Sequence, residues 1–238
     1  MTIERIVVLT GAGISAESGL PTFRGAGGLW EGHRVEEVAT PEAFARDPAT
    51  VHRFYDLRRR QLQEAAVEPN PAHRALAELE AGFPGEVLVI TQNIDDLHER
   101  AGLGHLIHMH GELLKARCGA CGAVHPWRGD LGHLPPCPAC GRPGRLRPHV
   151  VWFGEMPLEM ERIGAALGAS DLFVSIGTSG NVYPAAGFVE EVRAHGRARS
   201  IEINLEPPAH NRRFDEHRQG RAGDLVPPLV RELLTGAA

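Results

Sequence analysis

The 238-residue sequence predicts an α/β fold, a doubly wound parallel sheet with a small inserted lobe. Short runs rich in valine and isoleucine, without clean alternation, are typical of strands that are covered on both faces. Helical segments lie between these runs, and strands that alternate with helices favour a parallel sheet. Two long stretches interrupt this alternation, and they predict the inserted lobe.

The predicted strands and helices follow one another along the chain. A capping side chain precedes proline at Thr40-Pro41, Asp47-Pro48 and Asn70-Pro71, and each pair predicts a helix start. A further helix is predicted from about residue 184 to residue 195, where apolar residues recur at helical spacing. The buried strands are predicted at residues 6–9, 87–90, 106–109, 172–176 and 200–203.

The two interruptions delimit the predicted parts of the molecule. Residues 25–81 have helical patterns and no strand of their own, whereas residues 112–148 are rich in glycine, proline and cysteine with little periodicity. We expect both stretches to form the small lobe. The large part then comprises about residues 1–24, 82–111 and 149–238.

The composition excludes some classes of function. A net charge of -5, from 25 basic and 30 acidic side chains, argues against a protein that coats nucleic acid. The sequence contains no apolar run near the roughly 20 residues that span a bilayer, and its first residues lack the layout of a signal peptide. We therefore expect a cytoplasmic protein with neither membrane nor nucleic acid as a partner.

All four cysteines lie in two Cys-x-x-Cys pairs, separated by fifteen residues. Two pairs at this spacing indicate a zinc ribbon rather than a redox dithiol or disulfides. Four thiolates complete the tetrahedron of one Zn²⁺ ion and leave no position for water, so the ion should be structural. The predicted ligands are Cys118, Cys121, Cys137 and Cys140.

A glycine-containing turn follows the first predicted strand. Gly11, Gly13 and Ala16 fit the spacing G-x-G-x-x-G/A, in which glycine allows a tight turn and lets the backbone approach a pyrophosphate. A plain structural turn has the same residues, so the spacing alone leaves both interpretations open. In the next loop, Phe23 is suited to cover a flat ring and Arg24 to meet a phosphate or carboxylate. Burial of Phe23 in the core is the alternative.

Polar side chains follow two other predicted strands, at the edge where ligands bind in open α/β sheets. Asn93 and Asp95 lie near a helix start, and capping of a helix at residues 96–101 is the alternative role for Asp95. His108 and His110 end the next strand, and alternation predicts that both lie on one face. Histidine is the commonest general base near neutral pH. A histidine held by a backbone carbonyl is the alternative.

The helix that begins near Asp47-Pro48 contains a tyrosine followed by arginines. Helical spacing places Tyr55 on one face with both Arg58 and Arg59. A phenol beside a guanidinium suits a carboxylate ligand. A solvated helix face has the same pattern, and helical geometry does not choose between the two arginines.

Taken in order, these segments resemble the sirtuin family. The resemblance covers nearly the whole chain, and six motifs recur in the family's order. Residues 147–155 match a further segment, which precedes a helix in that family. The six motifs are residues 11–24, residues 91–95, His110-Gly111, the two cysteine pairs, residues 177–179 and residues 204–206.

The resemblance implies a Rossmann-like large part, a small lobe with helices and zinc, and NAD consumed as a substrate. In the family, the acyl oxygen of a modified lysine attacks the ribose carbon that bears nicotinamide, and a histidine base then activates a ribose hydroxyl. The products are free lysine, nicotinamide and O-acyl-ADP-ribose. The implied partners are therefore proteins that contain acyl-lysine.

The resemblance also implies roles for individual residues. His110 matches the histidine base of the family. The implied catalytic residues are His110, Asn93 and Asp95. In the family, a strand-like segment pairs with the substrate backbone. The matching positions in this sequence are Val150, Val151, Phe153 and Gly154. The implied NAD-binding positions are Gly11, Ala12, Gly13, Glu17, Phe23, Arg24, Gln92, Asn93, Ile94, Asp95, Gly177, Thr178, Ser179, Asn204, Leu205, Glu206 and Ala222.

The Tyr-x-x-Arg spacing of Tyr55 and Arg58 resembles the sirtuin subgroup that removes malonyl, succinyl or glutaryl groups. These acyl groups end in a carboxylate, and the resemblance selects Arg58 over Arg59. We therefore expect an NAD-dependent protein-lysine deacylase that removes acetyl and also succinyl or malonyl groups. The alternatives are an NAD-dependent mono-ADP-ribosyltransferase, a nicotinamide dehydrogenase and a non-catalytic zinc-ribbon binding module.

Overall fold

A computed structural model describes the backbone of residues 2–22, 29–30, 33–196, 198–206 and 214–236. Side chains are described for the same residues except 29 and 30. The predicted NAD-binding positions Phe23 and Arg24 lie outside the described residues. Among the helices in these ranges, none has the length and apolar character that crossing a membrane requires.

The strands of the described residues form three sheets. In chain order they are β1 (Arg5–Thr10), β2 (Leu29–Trp30), β3 (His33–Arg34), β4 (Glu86–Thr91), β5 (Leu106–His108), β6 (Gly111–Cys118), β7 (Val124–Pro126), β8 (Leu146–Val150), β9 (Leu172–Ile176), β10 (Arg199–Asn204) and β11 (Glu216–Gln219). The main sheet is parallel and six-stranded, in the order β11-β10-β9-β1-β4-β5. A pair, β2-β3, and an antiparallel trio, β7-β6-β8, form the other two sheets.

The helices begin where the sequence places capping residues. Thr40, Asp47 and Asn70 each accept a hydrogen bond from a backbone N–H in the first turn that follows, which confirms the three predicted starts. The described α-helices are α1 (Ala12–Ser15), α2 (Val35–Val38), α3 (Pro41–Arg46), α4 (Pro48–Leu62), α5 (Pro71–Gly82), α6 (Leu97–Arg100), α7 (Met160–Ala169), α8 (Phe188–His195) and α9 (Ala222–Thr235).

Helices cover both faces of the main sheet. Along β1, Ile6 and Val8 pack with α5 and α9 on one face. Val7 and Leu9 pack with α7 and α8 on the other. Since every β1 side chain from Ile6 to Leu9 is buried, the strand shows a continuous apolar run rather than alternation. The predicted doubly wound sheet is confirmed.

The structure corrects three expectations about the strands. Residues 25–81 were expected to have no strand, but β2 and β3 form a short pair there. Residues 112–148, expected to be irregular, contain most of the antiparallel trio. The edge strand β11 was not predicted, because its sequence Glu-His-Arg-Gln is polar and partly exposed. Short strands outside a buried sheet lack the apolar run that reveals the others.

Candidate active site

A cavity of about 1040 Å³ opens at the carboxyl ends of the main-sheet strands. The chain continues from β1 to β4 and β5 on one side, and then returns to β9 and β10 on the other side of β1. The connections therefore diverge at β1, and a crevice at such a switch point is where ligands bind in this class of sheet. The loops that follow β1, β4, β5 and β9 all contribute to its wall.

The structure brings the predicted site residues together at this cavity. Every predicted catalytic, NAD-binding and substrate position within the described residues lines its wall. The cavity is also lined by residues that were not predicted, among them Ser15, Trp152, Tyr183 and Arg221. Ser15 lies within the motif at residues 11–24 and Trp152 within the segment at residues 147–155, although neither had a predicted role. Tyr183 and Arg221 lie in no motif, so the sequence offers no signal that separates them from ordinary loop residues.

The glycines after β1 are required by a neighbouring loop. A Cβ atom on Gly11 would lie 2.8 Å from the carbonyl oxygen of Gly177, and one on Gly13 would lie 2.7 Å from the Gly177 Cα atom. Gly177 has a φ of +62°, which favours glycine there as well. Glycine at positions 11 and 13 thus allows two loops that line the cavity to contact each other. This requirement is additional to the predicted approach of a pyrophosphate.

A buried hydrogen-bond network holds the two polar residues that follow β4. The Asn93 Nδ2 atom donates to Ser15 Oγ at 3.0 Å and to the carbonyl oxygen of Gly11 at 3.2 Å. Ser15 Oγ in turn donates to Asp95 Oδ2 at 2.9 Å, while Asp95 Oδ1 accepts from the backbone N–H of Leu97 at 3.1 Å. Asp95 therefore lies in the cavity wall and also holds the start of α6. Its role toward a ligand stays a prediction.

The same network extends to residues that the sequence analysis missed. His73 Nδ1 accepts from the backbone N–H of Asn70, which assigns the ring proton to Nε2, 3.5 Å from Ser15 Oγ. Burial lowers the pKa of His73 to about 4, so the ring is neutral. Burial also raises the pKa of Asp95 to about 6. The network is thus largely shielded from solvent.

His110 is oriented by a single hydrogen bond to the backbone. Its Nδ1 atom lies 3.1 Å from the carbonyl oxygen of Gln92, which can only accept, so the Nδ1 atom has the proton. The neutral ring then has its lone pair on Nε2, as a general base requires. Burial lowers the pKa of His110 and outweighs the opposite effect of the bond to Gln92. The ring is therefore neutral near neutral pH.

His108 lies in a different environment from His110. The strand β5 ends at His108, but burial continues to alternate, since Ile107 and Met109 are buried and both histidines are only partly buried. The prediction that His108 and His110 lie on one face stays a prediction. His110 lines the cavity. His108 instead pairs through Nε2 with Glu99 Oε1 at 2.7 Å.

The tyrosine and arginine of α4 both line the cavity. Trp152 Nε1 donates to the Tyr55 hydroxyl oxygen at 3.0 Å, and the Trp152 ring is covered by the Arg147 guanidinium at 3.3 Å. Arg58 Nη1 donates to the Phe54 carbonyl oxygen at 2.7 Å, and its guanidinium lies 3.6 Å from the Phe54 ring centroid. Burial raises the pKa of Tyr55, so its phenol stays protonated and able to donate.

Arg59 has a structural role that separates it from Arg58. Its side chain is buried, with Nη1 2.7 Å from Asp56 Oδ1 and Nε 3.0 Å from the Leu113 carbonyl oxygen. Asp56 also accepts from the backbone N–H groups of Leu131 and Gly132, both at 2.9 Å. The choice that helical spacing left open is thereby resolved in favour of Arg58 at the cavity.

The segment predicted to pair with substrate follows β8. Three of its backbone donors already have partners. Val151 N–H donates to the His110 carbonyl oxygen at 2.8 Å, and Phe153 N–H donates to the Ala39 carbonyl oxygen at 3.0 Å. Trp152 N–H donates to Glu155 Oε2 at 2.8 Å. Pairing with a peptide backbone must therefore use other groups of this segment, and the prediction of such pairing stays a prediction.

The four cysteines converge as the spacing predicts. Their Sγ atoms all lie within 4.8 Å of one another. The Cys118–Cys140 and Cys121–Cys137 sulfur separations are both 3.8 Å, and a zinc tetrahedron with Zn–S bonds of about 2.3 Å has edges of about 3.8 Å. The cluster therefore fits a Zn²⁺ ion held by these four thiolates. This site lies in the lobe formed by β6, β7 and β8, apart from the cavity residues.

Comparison with curated proteins shows close relatives along nearly the entire chain. An NAD-dependent protein deacylase from Yersinia pestis is 59% identical over 230 residues, which cover 97% of this chain and 82% of that protein. A protein of the same name from Pasteurella multocida is 58% identical over 230 residues, which cover 97% of this chain and 98% of that protein.

Solved structures show the same architecture. A Sir2 homolog in complex with NAD is 41% identical with a TM-score of 0.87, and the match covers 99% of this chain and 91% of that chain. Sir2Af2 bound to a myristoylated histone peptide is 34% identical with a TM-score of 0.76, covering 99% of this chain and 93% of the other. Residues 11–184, well over half of the sequence, match the Sir2 family, and the chain therefore belongs to that family.

Proposed function

We propose that this chain is an NAD-dependent protein deacylase that transfers acyl groups from lysine side chains to ADP-ribose. The observation that supports this most directly is His110, a neutral imidazole with Nε2 as its basic nitrogen, in the wall of the cavity that the Gly11–Gly13 turn also lines. Close relatives have the same activity in their names, and one structural neighbour holds a myristoylated histone peptide.

The cavity fits a dinucleotide together with an acyl-lysine side chain. Its volume of about 1040 Å³ is slightly above the range of about 300–1,000 Å³ for small-molecule sites. When bound, NAD supplies a ribose carbon whose bond to nicotinamide breaks as the acyl oxygen attacks. In this proposal the loops after β1, β9 and β10, which line the cavity, bind its adenosine and phosphate portion.

Individual residues of the chain have separate roles in the reaction. Asn93 and Asp95, held by Ser15, orient the nicotinamide ribose. His110 Nε2 would accept a proton from a ribose hydroxyl, which attacks the acyl carbon. Addition of water and cleavage of the bond between that carbon and the lysine nitrogen would then release free lysine. The bond from His110 Nδ1–H to the Gln92 carbonyl stabilises the imidazolium that forms.

We also propose that Tyr55 and Arg58 select acyl groups that end in a carboxylate. The guanidinium of Arg58 supplies the positive charge. Beside it, the Tyr55 hydroxyl keeps its proton and its oxygen accepts from Trp152. Both side chains line the cavity, and both are fixed by aromatic or backbone contacts. Succinyl-lysine and malonyl-lysine are therefore expected substrates in addition to acetyl-lysine.

A mass-spectrometric assay tests both parts of the proposal. Acetyl-, malonyl-, succinyl- and glutaryl-lysine versions of one peptide are incubated with and without NAD. The proposal predicts free lysine, nicotinamide and O-acyl-ADP-ribose in equal amounts, only with NAD, and faster turnover of the carboxylated acyl groups. ADP-ribose on the protein without deacylation would instead indicate a mono-ADP-ribosyltransferase. Reduction of NAD would indicate a dehydrogenase, and either result would contradict the proposal.

A further inference from the structure

His108 bridges the loop that contains Asn93 and the helix α6. Its Nδ1 atom lies 3.3 Å from the Asn93 carbonyl oxygen, and its Nε2 atom lies 2.7 Å from Glu99 Oε1. The side chain is only 10% exposed. His108 thus contacts the backbone of a cavity residue from outside the cavity.

Both partners of the His108 ring are hydrogen-bond acceptors. A backbone carbonyl and an ionised carboxylate each require a donor, and a neutral imidazole has only one N–H. The imidazolium has two, so only the protonated ring satisfies both contacts. We propose that protonated His108 is a positioning residue for Asn93 and thereby for the nicotinamide ribose, an inference that rests on the proposed function.

The backbone N–H and the side-chain amide of Asn93 have hydrogen-bond partners of their own. Its backbone N–H donates to Thr91 Oγ1 at 3.0 Å, and its side-chain amide is held by Ser15 Oγ and the Gly11 carbonyl oxygen. The carbonyl oxygen is the remaining backbone group, and His108 Nδ1 lies at that point. Loss of this contact leaves the peptide group between Asn93 and Ile94 able to rotate, which displaces residues that line the cavity.

The charges around His108 favour the imidazolium. Glu99 is in direct contact, and Glu112, which pairs with Lys115 at 2.5 Å, also attracts the positive charge. Asp95 faces the ring as well, and His98, kept neutral by burial, adds no charge. Burial alone lowers the pKa of His108, but the bonds and charge of Glu99 outweigh it, and the net shift is upward. Burial raises the pKa of Glu99, but the bond to His108 and its charge outweigh this effect, so the net shift is downward and Glu99 is ionised.

This arrangement predicts a pH dependence of NAD use. The pKa of His108 is raised above its ordinary value of 6.5. The protonated ring, with an N–H on both nitrogens, is therefore fully populated at lower pH and is lost as pH rises through the raised pKa. The ratio kcat/KM for NAD should therefore fall on the alkaline side by about three- to tenfold, the effect of about one hydrogen bond. The KM for peptide should change less, since the contact acts on the ribose side.

The test compares three variants across a pH series. His108→Gln removes the second donor and the charge, and we expect it to flatten the alkaline fall and to lower kcat/KM for NAD at neutral pH. Glu99→Gln should move the fall to lower pH, since the carboxylate that raises the pKa is gone. His105→Gln is the matched control, because His105 Nδ1 also bonds a backbone carbonyl, that of Val87, but outside the cavity wall. It should retain the wild-type profile.

Two results would overturn the inference. One is an alkaline fall in His108→Gln that matches the wild type. The other is a wild-type His108 pKa below 6.5 in an NMR titration of the imidazole protons, assigned by comparison with the variants. The NMR titration requires no turnover, so it separates this inference from the proposed function, which fails only if the wild type does not deacylate peptides with NAD. It also tests the inference if His108→Gln does not fold.

Discussion

His110 and His108 are separated by one residue, yet their surroundings favour opposite protonation states. His110 has a single acceptor, the Gln92 carbonyl, and burial lowers its pKa. His108 has a carboxylate partner that outweighs burial and raises its pKa. The ring of His110, which its surroundings keep neutral, lines the cavity. The ring of His108, which its surroundings favour as charged, lies outside the cavity wall. At the scale of the residue, the local hydrogen-bond partners therefore decide which histidine can act as a base.

The protonation of His110 predicts an acid limit to activity. A histidine with a lowered pKa is neutral above that value and gains a proton only when pH falls through it. The acid decline of deacylation should therefore be centred below pH 6.5, because the base is protonated there. A pH profile of kcat/KM for the acyl peptide measures this limit, since that ratio reports the pKa values of the free enzyme. An acid decline centred above 6.5 would contradict the assignment.

The contacts of Arg58 predict a change in acyl preference when it is replaced. In Arg58→Met the cavity loses the charge that meets an acyl carboxylate, at a cost of about 2 kcal/mol for a hydrogen bond to a charged group. Succinyl-lysine turnover should fall about 30-fold, while acetyl-lysine turnover changes little. Competition between the two peptides measures the ratio directly.

The matched control for Arg58 is Arg53→Met. Arg53 lies on the same helix, and its guanidinium contacts the Thr50 hydroxyl at an exposed position. It does not belong to the cavity wall, so both peptides should be turned over as by the wild type. Equal losses on succinyl and acetyl peptides in Arg58→Met would refute the selectivity proposal.

At the scale of the element, α4 joins the cavity to the zinc-binding lobe. One side of the helix places Tyr55 and Arg58 at the cavity wall. On the other, the buried pair Asp56–Arg59 binds the backbone of Leu131 and Gly132, which lie between the two cysteine pairs. The lobe therefore helps to position the helix that contains the proposed acyl-binding residues.

The buried pair predicts a large effect of Asp56→Asn. The substitution leaves the Arg59 guanidinium buried without a counter-charge and weakens the bonds to the lobe, and breaking such a pair costs about 3–5 kcal/mol. The free energy of unfolding, measured by urea denaturation, should fall by about that amount. Chelators should also extract zinc faster than from the wild type.

Asp130→Asn provides the comparison for Asp56→Asn. Asp130 pairs with Arg60, whose side chain is 62% exposed, on the same two elements, and surface pairs contribute about 0–1 kcal/mol. Its effect on unfolding should be correspondingly small. Equal losses of stability in the two variants would show that the buried pair is not what connects α4 to the lobe.

At the scale of the molecule, features that depend on local sequence patterns were predictable. Side-chain contacts between residues far apart in the sequence were not. Continuous apolar runs predicted the four inner strands β1, β4, β9 and β10 because both of their faces are buried. The edge strand β5 was predicted from a shorter apolar run, whereas the other edge strand, polar β11, has no such signal. The cysteine spacing predicted the convergence of four sulfur atoms because each Cys-x-x-Cys pair forms a local turn. Tertiary partners such as Trp152 for Tyr55 and Ser15 for Asp95 join residues about 80 to 100 positions apart. No local pattern encodes them.

The account as a whole depends on His110 acting as the base beside NAD. Replacement by alanine removes the imidazole, and general base catalysis contributes about 10²- to 10⁴-fold. The most direct measurement is the rate of lysine deacylation by His110→Ala with saturating NAD and acyl peptide, with NAD affinity followed by calorimetry. The account predicts a loss of at least about 100-fold in rate with NAD still bound. Turnover within a few-fold of the wild type would contradict it.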